Sequence, residues 1–114
     1  MTLVIRIRRY NAGMRYDEFS ASLKEDEPAP DLPPLLQALW WDAKGNWGQA
    51  HEIAQEIDSR DAAWVHAYLH RKEGDTANAQ YWYSLGGGKL CQSEVEVEWR
   101  EIVESLLGEE SIPG

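Results

Sequence analysis

LLQALWWDAKGNWGQAHEIAQEI (35–57) carries two apolar stripes on either side of one glycine. Leu32, Leu35, Leu36, Leu39, Trp40 and Ala43 recur at helical spacing, and Pro33 and Pro34 open the helix where a missing N–H costs nothing. Gly45 is the stop. Asn46 caps a second helix at once, with Gln49 three residues on in a variant of the capping box, and Trp47, Ala50, Ile53, Ala54 and Ile57 form its apolar stripe. Two helices joined by so short a turn must fold back on each other.

Downstream, Asp58-Ser59-Arg60-Asp61 breaks and recaps the chain, and a helix is expected from about Ala62 to Glu73 with Trp64, Ala67, Tyr68 and Leu69 on its stripe. Gly74 ends it and Asp75 caps its partner, which runs through Ala79, Trp82 and Tyr83. Gly86-Gly87-Gly88 stops that helix. Ser93 with Glu96 reads as a capping box opening a last helix with Val95, Trp99, Ile102, Val103 and Leu106, closed by Gly108. A helix so placed is expected to cover the open end of the stack.

Upstream, Glu25–Asp31 (EDEPAPD) is a charged, Pro-bearing linker. Met14 opens a helical pattern with Tyr16, Phe19 and Leu23 on one stripe, whereas Leu3, Ile5 and Ile7 alternate with a period of two. Residues 1–13 therefore read as an extension, strand-like or loosely ordered, with Met14 a candidate native start. A single helical domain is expected over 14–108 and a tail over 109–114. The fold class is all-α: two consecutive helical hairpins with flanking N-terminal and C-terminal helices.

Laying Gly45 on Gly74 also brings Ala38 onto Ala67, Asn46 onto Asp75, Gln49 onto Asn78 and Ala50 onto Ala79, an offset of 29. The unit occurs twice. A small residue seven before the turn glycine, the glycine, and Ala five after it resemble the tetratricopeptide repeat over residues 32–85. Trp41 fits that family's aromatic position, and His70 stands there in the second copy. The period is shorter than the family's ~34 residues, and no proline closes either unit. The segment WVHAYLHRKEGDTANAQYWY (64–83) also resembles a group of short bacterial proteins of unassigned activity, which implies a bacterial, cytoplasmic protein.

The chain has 114 residues, with 20 acidic against 11 basic side chains. Residues 1–16 hold Arg6, Arg8, Arg9 and Arg15 and no acid, so the remainder is strongly negative and repels phosphate backbones. Nucleic acid is not an expected partner. Six Trp and five Tyr supply a packed core. Cys91 is the single cysteine, so no internal disulfide forms and a reducing cytoplasm is the natural reading. No run reaches membrane-span length, and Arg interrupts the apolar residues of MTLVIRIRRY before a signal core forms.

Candidate chemistry is sparse. Gly86-Gly87-Gly88-Lys89 lacks the remainder of a phosphate loop, no Gly-x-Ser-x-Gly elbow exists, and Cys91 has no nearby His in sequence. No catalytic residue and no cofactor are expected. The run Glu94, Glu96, Glu98, Glu101 and Glu104 reads as the solvated face of the last helix. Asp42, Glu52, Glu56, Asp58 and Asp61 come with no sign of the apolar cleft that acid–base work needs. His66 and His70, four apart, share a helix face and can chelate a metal with Glu73 as third ligand, although the pair reads first as structural.

Adjacent aromatics in Trp40-Trp41 and Tyr81-Trp82-Tyr83 point about 100° apart on a helix, so some are expected outside the core. The leading expectation is a non-enzymatic protein or peptide interaction module, with self-association an option, using Trp41, His66, His70, Arg71 and Tyr81. Arg71 and Lys72 would meet a carboxylate. The alternative is a small metal- or ligand-binding protein using His66, His70 and Glu73.

Overall fold

Two glycines 29 residues apart share one backbone chemistry. In the computed structural model, which describes residues 14–88 and 91–108, Gly45 and Gly74 both take left-handed conformations, φ 90° and 93°. Each closes a helix in the same way: the N–H of Asn46 reaches back to Trp41 O at 2.9 Å, and that of Asp75 to His70 O at 2.9 Å. The left-handed turn satisfies carbonyls that the helix end would otherwise orphan. Beyond each glycine the next helix is capped alike, Asn46 Oδ1 accepting from Gln49 N and Asp75 Oδ1 from Asn78 N.

The described residues form six α-helices: α1 (Tyr16–Ala21), α2 (Pro34–Ala43), α3 (Trp47–Gln55), α4 (Arg60–Lys72), α5 (Thr76–Leu85) and α6 (Val95–Leu107), with a 3-10 turn at Ser22–Lys24 after α1. The class is all-α, as expected. The most extensive packing is of α2 on α3 and of α4 on α5. Ala38, Ala50, Ala67 and Ala79, the small residues that align at the offset of 29, are all fully buried, which lets their helices approach closely. Among the described residues no helix is long and apolar enough to cross a membrane. The readings made for residues 1–13 and 109–114 fall outside the described residues.

Phe19, Leu36, Leu39, Trp40, Tyr68, Leu69, Ile102 and Val103 make the main core, so α1, α2, α4 and α6 share one interior. Trp40 is fully buried, and its indole N–H donates to Ser22 Oγ at 3.1 Å. Trp41 is half-buried edge-on to it, and Ala43, assigned to the same stripe, is exposed. Ala67, Ala79 and Tyr83 form a second cluster between α4 and α5, with Trp64, Trp82 and Cys91 against it.

The last helix departs from expectation in three ways. It packs on α2, α4 and α1, where an end cap would lie on α5. Its N-cap is Glu94, with no side-chain cap, because Ser93 is engaged elsewhere: its hydroxyl faces Cys91 Sγ at 3.0 Å and its carbonyl accepts from Arg71. Glu98, read as solvated, is wholly buried. Arg71 Nη1 donates to its Oε1 at 2.6 Å, Trp64 Nε1 to its Oε2 at 3.0 Å, and the Tyr83 hydroxyl lies 2.8 and 2.7 Å from its two oxygens. A carboxylate enters an interior only with such company.

Candidate metal centre

Three histidines meet between α3 and α4. His66 and His70 stand one turn apart on α4, whose start is held by Ser59 Oγ accepting from Ala62 N, and their rings stack at 4.9 Å. His51 comes from α3, on the flank of the stripe whose Ala50 and Ala54 are buried, and approaches both rings edge-on. Its Nε2 lies 2.9 Å from Nε2 of His66, so one of the two nitrogens donates to the other. One ligand nitrogen from each histidine lies within 4.8 Å of the other two.

Indoles wall the cluster. Trp82 stacks on His66 with ring centres 3.9 Å apart, and Trp47 stacks on His51 at 4.8 Å while presenting an edge to His70. Trp47 is itself pinned, its N–H donating to Leu69 O at 2.8 Å. His66 and His70 are buried, His51 half-buried. Burial, then the neighbouring His51 and His70, push His66 down to about 4 from 6.5. Burial and His70 also lower His51, against an opposing pull from Glu73. Both rings are therefore neutral at pH 7 and carry the lone pair that a metal requires.

A tetrahedral ion with bonds of about 2.0–2.1 Å needs its nitrogens about 3.3 Å apart. The His51–His66 contact at 2.9 Å would open slightly and the wider separations close, changes within reach of small side-chain rotations. Neutral imidazoles suit Zn²⁺, Cu²⁺ and Ni²⁺, whereas Mg²⁺ and Ca²⁺ prefer oxygen. Glu73 accepts from or pairs with His70 Nδ1 at 2.8 Å rather than joining the three-histidine group. A second group, His70 with Glu73 and Asp75, shares one member with the first, but both of its acids are exposed and Asp75 is already the cap of α5.

The residues assigned from sequence scatter. His66 and His70 come together as their spacing implied. Arg71 is committed to Glu98 and Ser93 O, and Lys72 Nζ to Asp42 Oδ1 at 2.9 Å, so neither cation faces outward without a carboxylate of its own. Asp42 is buried and also accepts from the Tyr68 hydroxyl at 2.7 Å; burial and this carboxylate push the phenol's pKa up. Tyr81 is 57% exposed, edge-on to Trp82, and stands on a different helix from Trp41. His51 was absent from the sequence-derived set; its one local signal is the four-residue spacing from Trp47, which places the two rings on one face. No family, curated protein or solved structure matches the chain.

Proposed function

We propose that the chain is a small helical metal-binding protein that holds one divalent transition-metal ion, Zn²⁺ by preference of abundance and geometry, through His51, His66 and His70. The observation that carries this reading is the convergence of three ring nitrogens within 4.8 Å, two of the rings held neutral at pH 7 by their surroundings. Because His51 comes from α3 and the other two from α4, the bound ion ties one repeat unit to the other and stabilises the folded chain by mass action. The role is binding rather than catalysis.

A chelator-treated sample titrated with Zn²⁺ by calorimetry should take up one equivalent, with a rise in melting temperature. His51→Ala, at a half-buried position, should abolish both while leaving the circular dichroism spectrum unchanged. A wild-type titration indistinguishable from that of His51→Ala sinks the reading. An interaction module is the second reading, favoured by Tyr81 and Leu85, four residues apart on α5 and both at least half exposed. Against a peptide groove stands α6, which itself lies along α2 and α4.

A further inference from the structure

We infer that Glu73 is the positioning residue of the histidine centre: it takes the Nδ1–H of His70 and so leaves Nε2 of that ring as the lone-pair donor to a divalent ion held with His51 and His66. The inference rests on the metal-binding reading and deepens it, since it assigns the carboxylate to the ring behind the ion rather than to the ion.

The geometry is specific. Glu73 Oε2 lies 2.8 Å from His70 Nδ1, three residues apart at the end of α4. Glu73 is the C-cap residue of that helix, where the helix dipole is negative and disfavours an acid. An N–H donor from His70 offsets that cost. The helix end is fixed independently of the side chains, by Asp75 N reaching His70 O at 2.9 Å across the left-handed Gly74, so carboxylate and ring are delivered to each other by backbone geometry. A carboxylate on the far nitrogen of a ligating histidine sets its tautomer, holds its plane and raises its basicity.

The competing arrangement makes Glu73 a ligand, with His70 and Asp75. With Nδ1 of His70 as the ligand the contact to Glu73 would be given up, because one nitrogen cannot both donate a proton to a carboxylate and present a lone pair to a metal. Asp75 would also have to share the oxygens that cap α5, where Asn78 N is 3.2 Å from Oδ1. Glu73 in the positioning role uses a contact already made.

Three measurements test this. Nitrogen-15 NMR of the metal-free wild-type protein should show His70 protonated at Nδ1 and bare at Nε2, and Glu73→Ala should lose that preference. Competition titration with Zn²⁺ should then show Glu73→Ala binding about 10- to 100-fold more weakly than wild type. Glu73→Gln, which still offers an oxygen to Nδ1–H, should recover much of that loss, and X-ray absorption should count three imidazoles in both wild type and Glu73→Gln. A bare Nδ1 in the metal-free protein, or Glu73→Gln as weak as Glu73→Ala, overturns the inference. If wild type takes up no metal, the proposed function fails, while the tautomer measurement still decides whether Glu73 orients His70.

Discussion

Glu98→Leu should be among the most damaging single changes in the chain. The side chain is 1% exposed and receives Arg71, Trp64 and Tyr83, donors from α4 and α5. Each hydrogen bond to a charged group is worth about 1.5–3 kcal/mol, but taking the carboxylate out of water costs several kcal/mol in the other direction. The loss on substitution is therefore set by what stays behind. Arg71 keeps its charge at 18% exposure without its carboxylate, and the Tyr83 hydroxyl, in a residue 4% exposed, loses its acceptor. Stranding one member of a buried pair costs about 3–5 kcal/mol, which for a domain near 100 residues lowers the melting temperature by roughly 15–30 °C. Urea denaturation followed by tryptophan fluorescence reads the change directly. Glu98→Gln should fall between, because the amide still accepts from Tyr83. Adding Arg71→Met to Glu98→Leu should recover part of the loss by removing the stranded cation. A cost below about 1 kcal/mol for Glu98→Leu, together with strict additivity with Arg71→Met, would place the carboxylate in solvent and refute the packing described for α6.

Trp40→Ala, which empties the largest fully buried side chain, should cost about 3–5 kcal/mol in the same denaturation assay, and a melting point that barely moves would contradict its place in the core. Gly45→Ala and Gly74→Ala should each cost about 1–2 kcal/mol from backbone strain alone, since an added Cβ meets nothing within 4 Å at either position; unchanged stability would argue against the left-handed turns. The metal-free chain should lose stability in acid through His66. With its pKa held near 4 in the fold against 6.5 in the unfolded chain, the contribution is complete above about pH 6.5 and fades as pH falls toward 4. Between pH 7 and pH 5 the loss attributable to this ring is about 2 kcal/mol. His66→Phe, which retains the stack on Trp82, should flatten the profile by that amount, and equal slopes in the two proteins would count against a proton-excluding cluster.

What was legible in the sequence is what neighbours in the chain decide among themselves. Gly45 and Gly74 announce a left-handed turn because few other residues tolerate it, and Asn46, Ser59 and Asp75 announce caps because their oxygens reach an N–H three residues on. Ser93 misled because the same local pattern competed with a partner it could not disclose: Cys91 held its hydroxyl, and Arg71, from another helix, its carbonyl. Glu98 misled for a similar reason. Its burial depends on Trp64, Arg71 and Tyr83, which lie 34, 27 and 15 residues away, and a run of alternating glutamates carries no trace of them.

The histidine centre divides along the same line. His66 and His70 were visible as a pair because one helical turn joins them, and Glu73 was visible beside them, although three-residue spacing cannot say whether a carboxylate faces an ion or the back of a ring. His51 entered only when α3 packed on α4: the turn at Gly45 brings α3 onto α2, the break at Asp58–Ser59 brings α4 onto α3, and His51, beside the buried Ala50, then meets His66 and His70. Two imidazoles on one helix offer half of a tetrahedral shell, and under the metal-binding proposal the long-range partner supplies a third place in it.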